Sequence, residues 1–277
     1  MSSPERPAPA HHRGTRQPLP ALSRDCALFL DIDGTLLEHV SRPDDVHVDA
    51  ELLRALSRVA AYLDNALALI TGRSIAGVDQ LFPKLRLPIA GQHGTERRGA
   101  DGAIHQNRPD PHTFSRLRRS LEMLAERHPG LLLEDKGNTL AMHYREAPQL
   151  AAHVHRVLRN SVRSIGNGSY GLQPGKLMVE VLPGGRDKGT AIADFMREAP
   201  FAGRRPVFVG DDLADEFGFA VVESQGGWSV KVGPGRSAAR YRLKDTAAVR
   251  KWLLASIASQ SRGPGTGSQP CATSTSR

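Results

Sequence analysis

Short apolar runs alternate with amphipathic stretches along the first third of the chain. Ala27–Leu30 and Leu67–Ile70 are apolar throughout and have the length of buried strands. The residues between them, 48–63, carry leucine, valine and alanine at helical spacing. A brief helix at 74–81 and a strand at 87–90 extend the alternation. The pattern predicts an α/β fold with a doubly wound, mainly parallel sheet.

The pattern changes in the middle of the chain. Residues 99–110 are polar and predict a loop, and the residues after it predict an αββαββ block. Its predicted elements are a helix at 112–128, strands at 131–135 and 139–145, a helix at 148–162, and strands at 169–173 and 176–182. Such a block forms an antiparallel sheet with its helices on one face. Because strand and helix alternation resumes after it, we expect it to be an inserted α+β domain.

These patterns divide the chain into a core, an insert and two tails. We expect residues 1–24 and 261–277 to be disordered tails, because they are rich in Pro, Ser, Gly and Thr. Residues 25–104 and 183–260 form the predicted catalytic core. Residues 105–182 form the predicted cap.

The distribution of charge argues against a nucleic-acid-binding protein. The net charge is +8, but residues 1–24 carry four Arg and one Glu, and residues 261–277 carry two Arg and no acid. The rest of the chain is therefore only mildly basic, and it has no basic stripe interleaved with aromatic residues.

Other global features favour a cytoplasmic location. No apolar run is long enough to span a membrane, and the N-terminal residues lack a signal-peptide pattern. The two cysteines suggest neither a disulfide framework nor a zinc site. We expect a cytoplasmic monomer with no membrane or nucleic-acid partner.

Two carboxylates end the first predicted strand. Asp31 and Asp33 follow the apolar run directly and point to the same side, with Gly34 after them. The pair could belong to an ordinary Asp-Gly turn. Unpaired carboxylates at the end of a buried strand are costly to desolvate, however, and a bound cation or a catalytic role would explain them.

Three later sites favour the catalytic role. Thr71 ends the second strand, Lys188 opens a helix, and Asp211 follows the strand at 207–209. Ligands of such sheets bind beyond the carboxyl ends of the strands. Asp31 and Asp211 could bind Mg²⁺, and Lys188 and Thr71 could hold a phosphoryl group. In phosphoryl transfer, Asp31 would be the nucleophile and Asp33 the general acid and base, and Thr71 and Lys188 would complete the catalytic set.

The motifs together resemble the haloacid dehalogenase-like phosphatases. They are DIDGTL at 31–36, the strand end at Thr71, Lys188, and GDDLADE at 210–216. The resemblance implies that the metal is bound by Asp31, by the backbone carbonyl of Asp33 and by Asp211. Asp212 or Asp215 would support the site, and the sequence leaves open which of them does. Ligand type does not separate Mg²⁺ from Mn²⁺.

Three further stretches are similar to the trehalose-6-phosphate phosphatase family: GQHGTERR at 91–98, EDKGNTLAMHYR at 134–145 and GKLMVEVLPGGRDKGTAI at 175–192. The similarity implies that Glu134, Lys136 and Glu180 of the cap bind the sugar. Carboxylates accept hydrogen bonds from sugar hydroxyls and an ammonium donates them. Without the resemblance, Glu134 and Lys136 would be interpreted as a solvated hairpin pair.

Gln92 and His93 follow the third strand beside the predicted site, and we expect them to contact the substrate. The alternative for His93 is a packed turn residue.

The sequence therefore predicts a Mg²⁺-dependent phosphatase of trehalose 6-phosphate that forms an aspartyl-phosphate. One alternative is a capped phosphatase of another sugar phosphate, such as sucrose phosphate or mannosyl-phosphoglycerate. Another is a non-catalytic module that only binds a sugar phosphate. The presence of Asp33 disfavours the module, because binding alone needs no acid/base group.

Overall fold

The computed structural model describes residues 18–39 and 47–259. Most of the two predicted disordered tails, namely residues 1–17 and 261–277, lies outside the described residues. The described part contains two β-sheets and two separate hydrophobic clusters.

The twelve strands of the described residues are β1 (Cys26–Leu30), β2 (Leu67–Ile70), β3 (Ile89–Gly91), β4 (Glu96–Arg98), β5 (Ile104–Gln106), β6 (Leu132–Asp135), β7 (Leu140–His143), β8 (Tyr170–Gly175), β9 (Met178–Pro183), β10 (Arg205–Gly210), β11 (Trp228–Val232) and β12 (Tyr241–Leu243). The seven α-helices found there are α1 (Ala50–Tyr62), α2 (Ile75–Leu81), α3 (Pro111–Arg127), α4 (Ala151–Ser164), α5 (Lys188–Phe195), α6 (Asp215–Ser224) and α7 (Thr246–Ser259). Short 3₁₀ turns occur at Gln92–Gly94 and Pro148–Leu150.

The larger sheet has the strand order β12-β11-β10-β1-β2-β3-β4-β5. Neighbouring strands from β12 to β3 pair in parallel, whereas β4 and β5 extend the sheet as antiparallel strands. Strand β1 is buried at all five positions and lies between β2 and β10, which come from opposite sides of the insert in sequence. The carboxyl end of β1 is therefore the switch point of the sheet, where such folds bind ligands. The predicted α/β fold with its mainly parallel sheet is confirmed.

The prediction of a loop over residues 99–110 is wrong for Ile104–Gln106, which form β5. This strand pairs with β4 at the edge of the large sheet, and all three of its residues are exposed. Such a strand has no apolar periodicity by which the sequence could reveal it. The predicted start of the cap at residue 105 therefore falls within a core strand, and the change from one sheet to the other lies in the loop after β5.

The segment 18–24 does not behave as the predicted tail. Leu22 is fully buried in the core cluster. The hydroxyl of Tyr62 donates to the carbonyl of Leu22 at 3.4 Å, and the indole N–H of Trp252 donates to the carbonyl of Pro20 at 2.9 Å. These contacts join the segment to α1 and α7, which also pack against each other.

The smaller sheet is antiparallel, with the order β6-β7-β9-β8. Helices α3 and α4 cover one of its faces, since Leu117, Leu121 and Leu158 cluster with Met142 and Val179. Residues next to Met142 and Val179 in sequence point to the other face. Glu180, which follows Val179, therefore lies on the face opposite the helices. That face makes the contacts with the core that are described below.

Among the described residues, no helix combines the length and apolar character needed to cross a bilayer.

Candidate active site

Two parallel strands bring the first and last acidic motifs together. The pairing of β1 with β10 aligns Leu30 with Val209, and the backbone N–H of Asp31 donates to the Val209 carbonyl at 3.0 Å. Asp31 and Asp211 therefore leave the sheet at adjacent points. Gly34 has a φ of 87°, and a Cβ at this position would collide with the Asp211 carboxylate. Only glycine allows the two loops to approach this closely.

Lys188 lies at the centre of the acidic residues. Its ammonium donates to Asp31 Oδ1 at 2.9 Å and to Asp215 Oδ1 at 2.6 Å, and it lies 3.8 Å from Asp212 Oδ1. Lys188 is the first residue of α5, and a capping box between Asp187 and Thr190 fixes that end of the helix. The structure thus brings together three motifs that are far apart in the sequence.

The acids exceed the cations in this buried region. Burial raises the pKa of Asp31 well above its usual range, and the Asp211 and Asp212 carboxylates add to the effect although Lys188 opposes it. Burial likewise raises the pKa of Asp215. Burial alone would lower the pKa of Lys188, but Asp212, Asp215 and Asp31 raise it well above its usual value. One ammonium is therefore shared among several carboxylates, and a further positive charge would stabilise all of them.

Asp31, Asp211 and Asp215 could hold a hard cation. Each offers one carboxylate oxygen, and these oxygens lie within 4.8 Å of one another. Asp211 also accepts hydrogen bonds from Thr35 Oγ1 at 3.4 Å and from His39 Nε2 at 2.9 Å, which orient it. Carboxylate oxygens of this number and spacing suit Mg²⁺.

Asp33 lies outside this group of acids. Its carboxylate accepts two hydrogen bonds from Arg73, one from Nε and one from Nη2, each at 2.7 Å. The Asp33 side chain is one-third exposed, whereas that of Asp31 is almost fully buried. The two aspartates therefore point into different surroundings, although they are separated by one residue.

Thr71 ends β2 beside the two aspartates and is 1% exposed. Its hydroxyl oxygen accepts the backbone N–H of Arg73 at 3.1 Å, so its hydrogen can still be donated to another acceptor. The position fits a contact with a phosphoryl oxygen.

Two of the three predicted sugar-binding residues reach the core. The Lys136 ammonium lies 3.3 Å from the Gly72 carbonyl and 3.3 Å from Glu180 Oε2. Glu180 is 1% exposed, and His93 Nε2 lies 3.2 Å from its Oε2. Glu134 and Glu180 both pair with Ala141 of β7, one on each side of that strand. Their side chains therefore point to the same face of the sheet.

Glu134 is the most open of the three. Its side chain is nearly half exposed and bonds to His143 Nε2 at 2.8 Å. That hydrogen bond lowers the pKa of Glu134, so the carboxylate is ionised at neutral pH.

Gln92 and His93 form the core side of this junction. Both have positive φ angles, 46° and 55°. The Gln92 amide donates to the Lys136 carbonyl at 2.7 Å, and no described residue supplies a hydrogen-bond partner for the buried Nδ1 of His93. Non-glycine residues with positive φ are strained and cluster at active sites, although Asp64 and Asn65 also adopt this conformation in the turn after α1.

Two residues beside the site, Arg73 and Lys231, were not assigned roles from the sequence. Arg73 holds Asp33, and Lys231 donates to the backbone carbonyls of Asp211 and Val232. Asp215, which the sequence left open as an alternative to Asp212, joins the acidic group. Arg73 and Lys231 both lie near strand ends at the edge of the sheet that carries the site. Their position near strand ends is the one feature of the sequence that points to this site, because the partner of Arg73, Asp33, and that of Lys231, Asp211, are distant in sequence.

Comparison with known proteins shows the family of the chain. The Trehalose-phosphatase family matches residues 29–247. The chain is 44% identical over 234 residues to the trehalose-6-phosphate phosphatase of Escherichia coli (strain K12), covering 84% of this chain and 87% of that protein. It is 42% identical over 219 residues to the probable trehalose-phosphate phosphatase of Sinorhizobium fredii (strain NBRC 101917 / NGR234), covering 78% of this chain and 82% of the relative.

Solved structures give the same result for the fold. A trehalose-6-phosphate phosphatase related protein superposes with a TM-score of 0.70 at 25% identity, covering 85% of this chain and 99% of that one. The C-terminal domain of Candida albicans trehalose-6-phosphate phosphatase superposes with a TM-score of 0.74 at 20% identity, covering 88% and 99%. The chain belongs to the trehalose-phosphatase family of phosphoric monoester hydrolases.

Proposed function

We propose that this protein hydrolyses trehalose 6-phosphate to trehalose and inorganic phosphate, as the names of its relatives indicate for those proteins. The observation that carries the proposal is the Lys188 ammonium between Asp31 and Asp215, at the carboxyl end of the central strand. Phosphoryl transfer depends on positioning and on neutralising charge, and this arrangement does both.

Asp31 is the proposed nucleophile. It attacks phosphorus, the bond from phosphorus to the sugar oxygen breaks, and an aspartyl-phosphate forms. Lys188 holds the attacking carboxylate in place, and Thr71 donates its hydroxyl to a phosphoryl oxygen. Asp31 and Lys188 are both almost fully buried, which strengthens the interaction between their charges.

Asp33 is the proposed general acid and base. It donates a proton to the sugar oxygen as that oxygen leaves, and it then removes a proton from the water that attacks the aspartyl-phosphate. Its position outside the acidic group supports the assignment, because a carboxylate that binds the cation could not carry this proton.

Mg²⁺ is the proposed cofactor, held by Asp31, Asp211 and the backbone carbonyl of Asp33, with Asp215 close by. Bound there, it would neutralise negative charge on the phosphoryl group. The excess of carboxylates and their elevated pKa values support a divalent cation at this position.

The chain is proposed to consist of a catalytic core and an inserted cap that recognises the sugar. Glu134, Lys136 and Glu180 face the core from the cap, and Gln92 and His93 face the cap from the core. The buried Nδ1 of His93 is a further atom to which a sugar hydroxyl could bond. A neutral disaccharide offers hydroxyl groups to such a lining.

The test is phosphate release by the purified protein from a panel of sugar phosphates in the presence of Mg²⁺. The proposal expects the highest kcat/KM with trehalose 6-phosphate, and a lower value with sucrose phosphate or mannosyl-phosphoglycerate. A higher kcat/KM with another member would transfer the assignment to that substrate. Binding of trehalose 6-phosphate without phosphate release would indicate a non-catalytic module.

A further inference from the structure

Arg73 contacts Asp33 in a geometry that orients the carboxylate. Nε donates to Oδ2 and Nη2 donates to Oδ1, both at 2.7 Å. A guanidinium that donates two parallel hydrogen bonds fixes the plane of a carboxylate, which a single contact does not.

The backbone of Arg73 is anchored independently of this pair. Its N–H donates to Thr71 Oγ1 at 3.1 Å, and its carbonyl accepts the N–H of Gln92 at 2.9 Å. The following residue, Ser74, caps α2. The guanidinium therefore extends from a fixed loop between β2 and α2.

Folding stability alone is a poor explanation for this pair. The side chains of Arg73 and Asp33 are 22% and 33% exposed, and ion pairs that are open to water stabilise proteins little.

The pair separates the two aspartates of the DIDGT motif. Asp31 is held by Lys188 within the acidic group, and Asp33 is held by Arg73 outside it. The loop that carries Arg73 meets the cap, because the Lys136 ammonium lies 3.3 Å from the carbonyl of Gly72. Gln92, whose N–H donates to the Arg73 carbonyl, also donates its side-chain amide to the Lys136 carbonyl. Arg73 and the Asp33 carboxylate thus lie on the side of the site that faces the cap, where the sugar portion of the substrate would be.

We propose that Arg73 is a positioning residue that holds the Asp33 carboxyl group away from the cation site and directed at the sugar oxygen that leaves phosphorus. The inference rests on the proposed function, since it concerns the acid/base step of that reaction. In the acid form, one Asp33 oxygen carries the proton and donates it to the leaving oxygen as the P–O bond breaks. The other oxygen keeps its hydrogen bond from Arg73, so the orientation survives the loss of one of the two bonds.

Arg73→Gln tests the proposal because it keeps a hydrogen-bond donor but loses the two-bond geometry. Proton donation matters for a sugar alkoxide, which is a poor leaving group, and matters little for p-nitrophenolate. We expect Arg73→Gln to lower kcat/KM for trehalose 6-phosphate by about 100-fold, within the range that a general acid contributes. The kcat/KM for p-nitrophenyl phosphate should stay close to the wild-type value.

A double-mutant cycle with Asp33→Asn gives a second readout that does not require an aryl phosphate. In the Asp33→Asn background, Arg73→Gln should change kcat/KM for trehalose 6-phosphate no further, because the group that it positions is already lost. Arg98→Gln is the matched control, since Arg98 also donates to both carboxylate oxygens of an aspartate, Asp79 of α2, through three hydrogen bonds. It should affect both substrates equally, and thermal melting of every variant checks folding.

Equal losses with both substrates, or additive losses in the cycle, would overturn the proposal and leave Arg73 as a structural residue. If the aryl phosphate proves too poor a substrate for wild-type enzyme, the cycle decides alone. Failure of the proposed function has a different signature, since wild-type protein would then release no phosphate from trehalose 6-phosphate.

Discussion

Glu180→Gln is the substitution for which the structure gives the most definite expectation. The Glu180 carboxylate is buried between the cap and the core, where it accepts hydrogen bonds from Thr139, Lys136 and His93. Burial by itself would raise the pKa of Glu180, but the charges of His93 and Lys136 and the hydrogen bonds outweigh it. They lower the pKa from 4.5 to about 2.

The lowered pKa determines how much the charge of Glu180 contributes to folding stability and how that contribution depends on pH. A pKa difference of this size corresponds to about 3 kcal/mol of stability at neutral pH. Because the pKa is lower in the folded state, the contribution is complete above the unfolded value of 4.5 and is lost as the pH falls towards 2. About half of it should be gone near pH 3. Glutamine keeps the shape of the side chain but cannot carry the charge.

Urea unfolding of wild type and Glu180→Gln at pH 7 and near pH 3 measures this contribution. We expect the variant to be less stable by about 2–3 kcal/mol at pH 7 and closer to wild type at the lower pH. Glu122→Gln is the control, because Glu122 is half exposed on α3 and forms only a long ion pair with Arg118. It should change stability by less than about 0.5 kcal/mol. A destabilisation of Glu180→Gln that does not depend on pH would refute the electrostatic argument and point to packing instead.

Four further expectations concern the proposed catalytic residues and the proposed cation. Asp31→Asn should abolish phosphate release but keep binding of trehalose 6-phosphate by calorimetry, and residual turnover would exclude Asp31 as the nucleophile. Lys188→Met leaves buried carboxylates unpaired, so urea unfolding should show a loss of about 3–5 kcal/mol together with loss of turnover. Unchanged stability would mean that the acids are neutral without Lys188. Chelation of divalent cations should stop phosphate release, and added Mg²⁺ should restore it. Asp211→Asn should need more Mg²⁺ for half-maximal activity, and an unchanged requirement would remove Asp211 from the ligand set.

Much of the architecture follows from the sequence because its buried strands are continuous apolar runs. Leu67–Ile70 was predicted with the bounds that the structure has. The carboxyl ends of parallel strands meet at one edge, so Asp31, Thr71 and Asp211 could be expected there before any coordinates were known.

The parts that sequence reasoning missed lack such a signal. Strand β5 is exposed at every residue, and strand β12 is only three residues long with one buried position. The segment 18–24 looks like a tail in composition, yet the burial of Leu22 fixes it to the core. Each of these features depends on pairing or packing with another segment of the chain.

Pairings between side chains were the hardest feature to predict. Nothing in the local sequence indicates that Arg73 reaches back to Asp33, or that Asp215 rather than Asp212 is the more deeply buried partner of Lys188. Both pairings depend on the loops that follow different strands, and the geometry of those loops is set by the assembled sheet.

The hydrogen bonds that Glu180 already makes leave it little capacity for the proposed contacts with the sugar. A carboxylate has about four sites for hydrogen bonds, and Thr139, His93 and Lys136 occupy three of those on Glu180.

Glu134 accepts one hydrogen bond, from His143, and is nearly half exposed, so most of its capacity is open to a ligand. We therefore expect Glu134 to act mainly by accepting hydrogen bonds from the sugar, and Glu180 mainly by holding Lys136 and His93 in place. On this division, Glu134→Gln should raise KM without changing stability, whereas Glu180→Gln should change both, because one carboxylate faces the ligand and the other joins the two halves of the site.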